Sequence, residues 1–453
     1  MAGTATAGKR PADERNMLTR AVIASTIGTS IEWYDFALYG FAAPVIFSKL
    51  FFPKSDPVVG LLQSFAIFAI GFLARPIGAA IFGHYGDRIG RKATLVATLS
   101  LMGIATTLVA FVPGYAQIGI WGAIILTVLR FIQGLGVGGE WGGSVLLTME
   151  YAKTNARRGL IASWPQFGVP GGMVLVIVVV LLFSALTGKE FYTWGWRIPF
   201  ALSIVLVGIG LWIRLGILET PTFRRLLAEN KIEKAPVREV FRLQGREIVL
   251  AALSRMAEQA PFYLYSSFLL TYGMTVLKQG LNFLLLSLLI AGIGSAIWIP
   301  VFGHISDRIG RRKMYLIGCV VTAVFGFVYF AMLNTGVAGT IVLAVVLSLI
   351  PHGMLYGPQG AFIAEAFTPR LRYSGASLGY HLSSIIAGGP SPLIAAWLLA
   401  TYHSGYAIAW FIAICGAISF VAALALPDHT GRGIADEYDQ AAVLDVVSSP
   451  ATA

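Results

Sequence analysis

Charge is what this chain has least of. Asp, Glu, Lys and Arg make up 12% of its 453 residues, about half the share of an ordinary soluble domain. With 57% hydrophobic residues, a single soluble core is excluded, because such cores stop growing near about 250–300 residues. Cysteine is almost missing too. Cys319 and Cys415 are the only two and both lie in apolar runs, so neither a disulfide framework nor a cysteine metal cluster can be built from them. No nucleophile–base set, metal-ligand spacing or phosphate loop stands in a polar segment, so neither an enzyme nor a bound cofactor is expected. The run Gly134-x-Gly136-x-x-Gly139 matches a dinucleotide fingerprint in letters only. It lies inside an apolar run with no strand before it, and the fingerprint needs a strand-to-helix turn. Residues 1–20 have no apolar core and no cleavage site, so no removable leader is expected.

What is present is apolar sequence in blocks of about 20 residues, the length that crosses a hydrocarbon slab of about 30 Å as a helix. Lipid offers no partner to backbone polar groups, so each block must be a helix or part of a closed barrel. Barrel strands alternate polar and apolar over about 10 residues, and these blocks do not. Twelve spans are expected at 21–47, 58–83, 93–112, 118–149, 160–184, 195–217, 248–275, 281–303, 314–333, 338–366, 373–401 and 405–426. The fold class is therefore an all-α polytopic membrane protein.

The net charge of +11 points to topology rather than to nucleic acid. With both termini placed in the cytoplasm, 24 of the 33 Lys and Arg fall on the cytoplasmic side. Four (Lys49, Lys54, Lys189, Lys278) fall outside and five lie within spans. That asymmetry is the positive-inside pattern.

The second half of the chain repeats the first. Gly83-His84-Tyr85-Gly86-Asp87-Arg88-Ile89-Gly90-Arg91 follows the second span, and Gly303-His304-Ile305-Ser306-Asp307-Arg308-Ile309-Gly310-Arg311 follows the eighth. Seven of nine positions match at an offset of 220 residues. A weaker echo relates Glu150…Arg157-Arg158-Gly159 to Glu365…Arg370-Leu371-Arg372-Tyr373-Ser374-Gly375. The organisation expected is a tail (1–20), a six-helix bundle (21–217), a charged connector (218–247) with short amphipathic helices, a second bundle (248–426) and a second tail (427–453). Parallel repeats of this kind hold solute near the membrane midplane, between the halves, and rock one against the other. Asp87, Arg88 and Arg91, with Asp307, Arg308 and Arg311, form a charge cluster at helix ends that suits a conformational latch; the plain alternative is a basic topogenic loop.

The loop Gly-x-x-x-Asp-Arg-x-Gly-Arg-Lys and its second copy resemble the signature of the major facilitator superfamily. Further motifs resemble the metabolite:proton symporter family within it. They are Glu32-Trp33-Tyr34-Asp35-Phe36…Tyr39-Gly40, Arg75-Pro76-Ile77-Gly78, Arg130-Phe131-Ile132-Gln133-Gly134…Gly138-Gly139-Glu140-Trp141-Gly142-Gly143 and Trp194-Gly195-Trp196-Arg197-Ile198-Pro199-Phe200. In the second half they are Tyr356-Gly357-Pro358, Glu365 and Arg372-Tyr373-Ser374-Gly375-Ala376-Ser377. The resemblance covers about residues 20–425 and implies the two-bundle major facilitator fold in an inner membrane, driven by a proton gradient. Members of the family take up shikimate, 2-oxoglutarate, citrate and other carboxylates, or proline and betaine. Its osmosensing betaine carriers often have a long C-terminal coiled coil, whereas residues 427–453 here are short, acidic and without heptads.

A charge inside a span costs at least about 2.5–3.5 kcal/mol, so each one is a functional candidate. The first half holds Glu32, Asp35, Arg75, Arg130 and Glu140, with Arg197 and Arg214 near the ends of span six; the second holds Arg255, Glu258 and Glu365. Arg214 reads as snorkelling to the interface. Glu32 and Asp35, at i and i+3, share a helix face, where mutual repulsion and desolvation suit one of them to carrying a proton. Arg130 is the obvious counter-charge. The resemblance implies Asp35 (or Glu32) as proton carrier, and Arg130 as its partner or as a ligand for an anion; a static ion pair is the plain alternative. Glu140 is either a second proton site or a hydrogen-bond anchor. Glycines 134, 138 and 142 form a stripe for close helix contact. Further candidate solute contacts are Arg75, Trp33, Tyr34, Gln133, Arg255, Gln259, Tyr356, Gln359, Tyr380 and His381, each with an ordinary packing or interhelical hydrogen-bonding alternative.

The function expected is proton-coupled import of a small organic acid. Uptake of a zwitterion such as proline or betaine is the alternative, and an uncoupled facilitator or a transporter-like sensor stands behind both. The partners expected are the solute, protons and the lipid bilayer, with no nucleic acid and no obligate protein.

Overall fold

A computed structural model of the chain describes residues 11–151, 157–216 and 236–431. Twelve helical segments follow in chain order: α1 (Pro11–Ala42), α2 (Pro57–Ile89), α3 (Arg91–Val109), α4 (Trp121–Tyr151), α5 (Arg158–Thr187) and α6 (Arg197–Leu215). After the connector come α7 (236–275), α8 (Leu281–Ile309), α9 (Arg311–Leu333), α10 (Ala338–Ala364), α11 (Arg372–Tyr402) and α12 (Gly405–Ala425). Ten of them are long and apolar enough to cross a membrane. The exceptions are α1, which carries Glu32 and Asp35, and α7, which breaks into shorter pieces at Gln244 (φ −131°) and near Arg255. Helix α1 begins at Pro11, ten residues before the edge that hydropathy gives, because polar residues continue a helix as readily as apolar ones. Likewise the end of the connector is already helical from Pro236.

The repeat is built into the backbone. Gly90 (φ 111°) separates α2 from α3, and Gly310 (φ 97°) separates α8 from α9. Both take a conformation that a side chain disfavours, which is why glycine holds that place in each copy. A π-helical turn interrupts α1 at Ala43–Phe47, beside Pro44, and another interrupts α7 at Leu264–Phe268, after Pro261. These turns recur at nearly the sequence offset of the repeat, although their residues differ.

Packing follows the same symmetry. Helix α1 lies on α5 as α7 lies on α11, and α2 and α3 both lie on α4 as α8 and α9 both lie on α10. Two glycines of the α4 stripe fit directly against α2, where a Cβ at Gly134 or Gly138 would overlap the carbonyl oxygens of Gly71 and Arg75, and the third, Gly142, faces Ser377 of α11. The halves meet where α2 packs on α11 and α5 packs on α8 and α10. Large apolar side chains such as Trp212, Trp410 and Val421 point outward, exposed, as lipid-facing residues do.

Candidate functional site

The first half buries two kinds of charge. Glu140 is fully engaged: Arg214 Nη2 donates to its Oε1, as does Ser144 Oγ at 2.9 Å, and Thr98 Oγ1 reaches its Oε2 at 3.3 Å. Arg214 also donates to the Leu95 carbonyl at 2.6 Å. This cluster ties α3, α4 and α6 together. Removing one partner leaves the other buried and uncompensated, at a cost of about 3–5 kcal/mol. Glu140→Ala is therefore expected to lower the thermal unfolding temperature of the purified protein sharply, and Glu140→Gln less so. An unchanged unfolding temperature for Glu140→Ala would show that the pair carries no structural load.

The other four charges are not paired. Among the described residues, no ion pair includes Glu32, Asp35, Arg75 or Arg130, though their residues are at most 4% exposed. Asp35 accepts from Ser203 Oγ at Oδ1, and its Oδ2 has no partner. Arg130 donates to Gln133 Oε1, and Gln133 in turn donates to Thr106 Oγ1 at 2.6 Å and to the Asp35 carbonyl at 3.3 Å. The guanidiniums of Arg75 and Arg130 each sit 4.0 Å from the ring centroid of Phe36. Arg75 also lies over Phe72 at 4.4 Å, and Arg130 over Tyr39 at 4.5 Å. Such contacts are worth about 2 kcal/mol when desolvated, yet they use ring faces and leave N–H groups free. Arg75 Nε, and Arg130 Nε and Nη2, have no hydrogen-bond partner.

In the second half Arg255 and Glu258 are paired with each other by contrast. Arg255 donates to Glu258 Oε2 at 2.8 Å, to Gln359 Oε1 at 3.1 Å and to the Tyr380 carbonyl. Its guanidinium lies 3.3 Å from the Tyr380 ring centroid, and Trp141 of the first half stacks on the same ring at 3.7 Å. His352 approaches Glu258 at 3.4 Å, and Gln359 Nε2 donates to Tyr315 Oη at 3.0 Å.

Between these two charge systems runs a seam of unpartnered polar atoms. Gln259 donates to Ser384 Oγ at 2.9 Å, but its Oε1 is free, as are Tyr263 Oη and both ring nitrogens of His381. His381, Ser384 and Gly388 occupy one face of α11, spaced to meet the first half; a Cβ on Gly388 would touch both Phe72 and Gln259. The Tyr263 ring packs 5.0 Å from Phe72, whose neighbour one turn along α2 is Arg75. Beside this seam, towards the end of the bundle away from the repeated loops, lies a small cavity of about 50 Å³. Trp33, Phe36, Phe68, Val176, Phe262 and Tyr263 are among its walls. The end nearer the loops is closed by Trp141 on Tyr380, by Gln166 Nε2 donating to the Tyr356 carbonyl at 3.2 Å, and by Tyr373 Oη donating to the Gly139 carbonyl at 2.7 Å.

The loop end itself is joined across the halves. Asp307 receives the backbone N–H of Gly159 at 2.8 Å and of Leu160 at 2.9 Å, so a carboxylate of α8 caps the N-terminus of α5. Arg158 pairs with Glu365 Oε1 at 2.7 Å, and Arg311 with Glu365 Oε2 at 3.0 Å. Anions at helix N-termini gain from the unpaired N–H groups and the helix dipole.

A family profile described as "Sugar (and other) transporter" matches residues 21–259, and one described as "Major Facilitator Superfamily" matches residues 286–444. The chain belongs to the major facilitator superfamily. It is a transporter of that family rather than an enzyme. It is 40% identical, over 91% of its length and 94% of the relative, to "Inner membrane metabolite transport protein YhjE" of Escherichia coli (strain K12). Identity is 39% to the "Shikimate transporter" of the same strain, covering 90% of this chain and 94% of that one. It is 31% to the "Proline/betaine transporter" of Salmonella typhimurium, covering 92% and 84%. The solved structure of the proton:xylose symporter XylE with 6-bromo-6-deoxy-D-glucose superposes with a TM-score of 0.74 over 93% of this chain and 98% of that one. At 18% identity it shows the shared fold.

The fold brings some of the transporter's candidate residues together and keeps others apart. Arg130 does not meet Asp35: it turns towards α2 and the Phe36 ring, whereas Asp35 faces Ser203 on α6. The Tyr34 hydroxyl donates to the Pro199 carbonyl at 2.7 Å, within the first bundle. Gln133 is likewise engaged inside the first bundle. Arg214 does not snorkel; it is 3% exposed and bonded to Glu140. Arg255, Gln359, Tyr356 and Tyr380 form one network instead of presenting free groups, Tyr356 Oη lying 3.3 Å from Tyr380 Oη. Trp33, Arg75, Gln259 and His381 remain at the seam. Of the loop cluster, Asp307 joins the halves, Arg311 pairs with Glu365 and Asp307 of its own half, and Arg308 and Arg88 are exposed, Arg88 lying 3.2 Å from His84. The side chains of Asp87, Arg91 and Glu150 lie outside the described residues. Sequence reasoning missed Arg158, counted only as a topogenic charge, and Ser203. The faint echo at 157–159 was the one signal that could have marked Arg158.

Proposed function

We propose that this transporter imports a small organic acid together with a proton, by alternating access of bundle 21–217 against bundle 248–426, with both termini in the cytoplasm of a cell that holds it in its inner membrane. The observation that carries this reading is Arg75: a buried guanidinium with a free N–H and no carboxylate partner, packed on Phe72, whose ring meets Tyr263 of α7 and the Gly388 turn of α11 in the other half. Such a cation is uncompensated until an anion arrives. Asp35 and Glu32, equally without ion-pair partners, are the sites for the proton. A buried carboxylate with an unpartnered oxygen is costly when ionised, and a proton loaded there offsets the charge of the acid anion, so that the loaded first bundle has the same net charge as the empty one. Uptake of labelled organic acids into proteoliposomes tests the reading. Accumulation that follows an imposed inward proton gradient is expected, and accumulation indifferent to the gradient would sink the coupling.

The aromatic wall of Trp33, Phe36, Phe262 and Tyr263 also suits a quaternary ammonium. The zwitterion alternative is favoured if betaine, and no acid, is accumulated in the same assay.

The joined loop end is the latch of the cycle in this reading. Asp307→Asn keeps the shape and removes the charge that caps α5, a change of about 1–2 kcal/mol. Spin labels at positions 88 and 308, both exposed, are expected to show the separated state enriched about tenfold. An unaltered distance distribution would mean that Asp307 does not latch the halves.

A further inference from the structure

Between α1 and α5 the lipid-facing wall opens into a groove that the transport cycle does not use. Its volume is about 350 Å³, and Val22, Ile23, Thr26 and Ile27 of α1 line it with Trp164 and Phe167 of α5. Farther from the repeated loops the two helices touch. A Cβ at Gly168 would overlap Thr29 and the Thr26 carbonyl, and one at Gly172 would overlap the Ser30 carbonyl. Nearer the loops, Trp164 and Phe167 stand in place of those glycines, and the helices part around the groove. The polar side-chain groups on its lining are the Trp164 indole N–H and the Thr26 hydroxyl, and the hydroxyl donates to the Trp164 carbonyl at 3.1 Å.

That hydrogen bond sets Thr26 and Trp164 at one level. Both helices start at the loop end, so at a rise of about 1.5 Å per residue Arg20 lies about 9 Å from that level towards the loops, and Arg157, just before α5, about 10 Å. Arg20 shares a face of α1 with Ile23 and Ile27, and Arg157 stands two turns from Trp164. Both arginines are exposed, and among the described residues neither has an ion-pair or hydrogen-bond partner.

We infer that this groove is a binding site for one anionic phospholipid, an acyl chain lying along Ile23, Ile27, Trp164 and Phe167 and the phosphate resting between Arg20 and Arg157. A helix, about 10–12 Å across, is too wide for a groove between two neighbouring helices, whereas an acyl chain is what the bilayer presents at that depth. Guanidinium pairs bidentately with phosphate oxygens. A zwitterionic headgroup brings its own cation to its phosphate, so two unpaired arginines favour a lipid that has none. With the termini in the cytoplasm they face the cytoplasmic leaflet, which carries anionic lipid. Trp164 lies where interfacial tryptophans gather. The site is independent of which solute is carried.

Native mass spectrometry reads the site on the purified transporter, stripped of lipid and titrated with phosphatidylglycerol or with phosphatidylcholine of the same chains. Phosphatidylglycerol is expected to bind about thirtyfold tighter, from about fivefold for each arginine at a membrane surface. A preference below threefold overturns the site. Arg20→Gln together with Arg157→Gln is expected to bring the two lipids within threefold, and Arg246→Gln, at an exposed arginine of the same end, to leave the preference unchanged. A double variant that keeps the preference, or an Arg246→Gln protein that loses it, overturns the assignment to these two arginines. Ile23→Trp fills the groove from an exposed position and is expected to weaken phosphatidylglycerol about tenfold with both arginines intact, because the chain then meets a clash. Unchanged affinity overturns the seat of the chain. Inorganic phosphate that displaces the lipid at comparable concentration would mean that the arginines take a free anion and the groove plays no part.

Discussion

Asp35→Asn abolishes accumulation of solute against its gradient and leaves solute exchange across the membrane intact: that is the result expected for the proton site of this transporter. The argument starts from burial. Asp35 is 0% exposed, accepts one hydrogen bond from Ser203 and leaves Oδ2 without a partner. Asparagine fills the same space and can still accept from Ser203, so the packing of α1 on α6 is kept. What it loses is the ability to bind and release a proton. Net uphill transport needs that release in each cycle, whereas exchange of labelled for unlabelled solute needs only the solute-loaded halves to rock. Counterflow and gradient-driven uptake in proteoliposomes read the two separately. Asp35→Asn protein that still accumulates solute moves the assignment to Glu32, three residues earlier on the same face. A double variant that still accumulates removes proton carriage from α1 altogether.

Arg75→Gln is expected to weaken binding of the transported acid by roughly two orders of magnitude. Removing one member of a buried, hydrogen-bonded charge pair costs about 2–5 kcal/mol, and each 1.4 kcal/mol is a factor of ten. The unbound protein has no partner for the Arg75 charge, so losing that charge does not itself strand a carboxylate, and the variant should fold. Its thermal unfolding temperature should hold or rise, because burying an unpaired cation is unfavourable. Affinity within threefold of the parent would mean that the solute carboxylate binds elsewhere. Arg130→Gln is the informative contrast: Arg130 is tied to Gln133 within the first bundle, so its loss is expected to alter binding less than that of Arg75.

The two arginines show how far the sequence could be read. Both stand in apolar runs, both match family motifs, and letters alone make Arg130 the partner of Asp35 because their helices are neighbours. A helical residue has a direction as well as a depth, however. Arg130 leaves α4 on the side facing α2, where Gly71 gives its guanidinium room, while Asp35 leaves α1 towards α6. Arg214 shows the opposite error. Its place near a span end suggested the interface, yet Glu140, 74 residues away in sequence, draws it inward. Pairings at such separations depend on how helices rotate about their axes, and apolar runs without a polar face leave that rotation undefined. Where a local rule does apply, the reading was sound: the glycine stripe of α4 is a close helix contact, with α2 at Gly134 and Gly138 and with α11 at Gly142.

By itself the sequence determined that the chain is a helical membrane protein, where its helices lie along the chain, that its second half repeats its first, and that it has the motifs of the major facilitator superfamily. Those properties follow from composition, block length and repeated short motifs, which are written along the chain and need no knowledge of what touches what. Only the tertiary structure decided which buried charges are spent and which are free. It set Glu140 against Arg214 and Arg255 against Glu258, joined Arg158 to Glu365 across the halves, and left Arg75, Asp35 and His381 without ion pairs. The reason is physical: a buried charge is defined by its partner, and each partner stands on whichever neighbouring helix packing turns towards it.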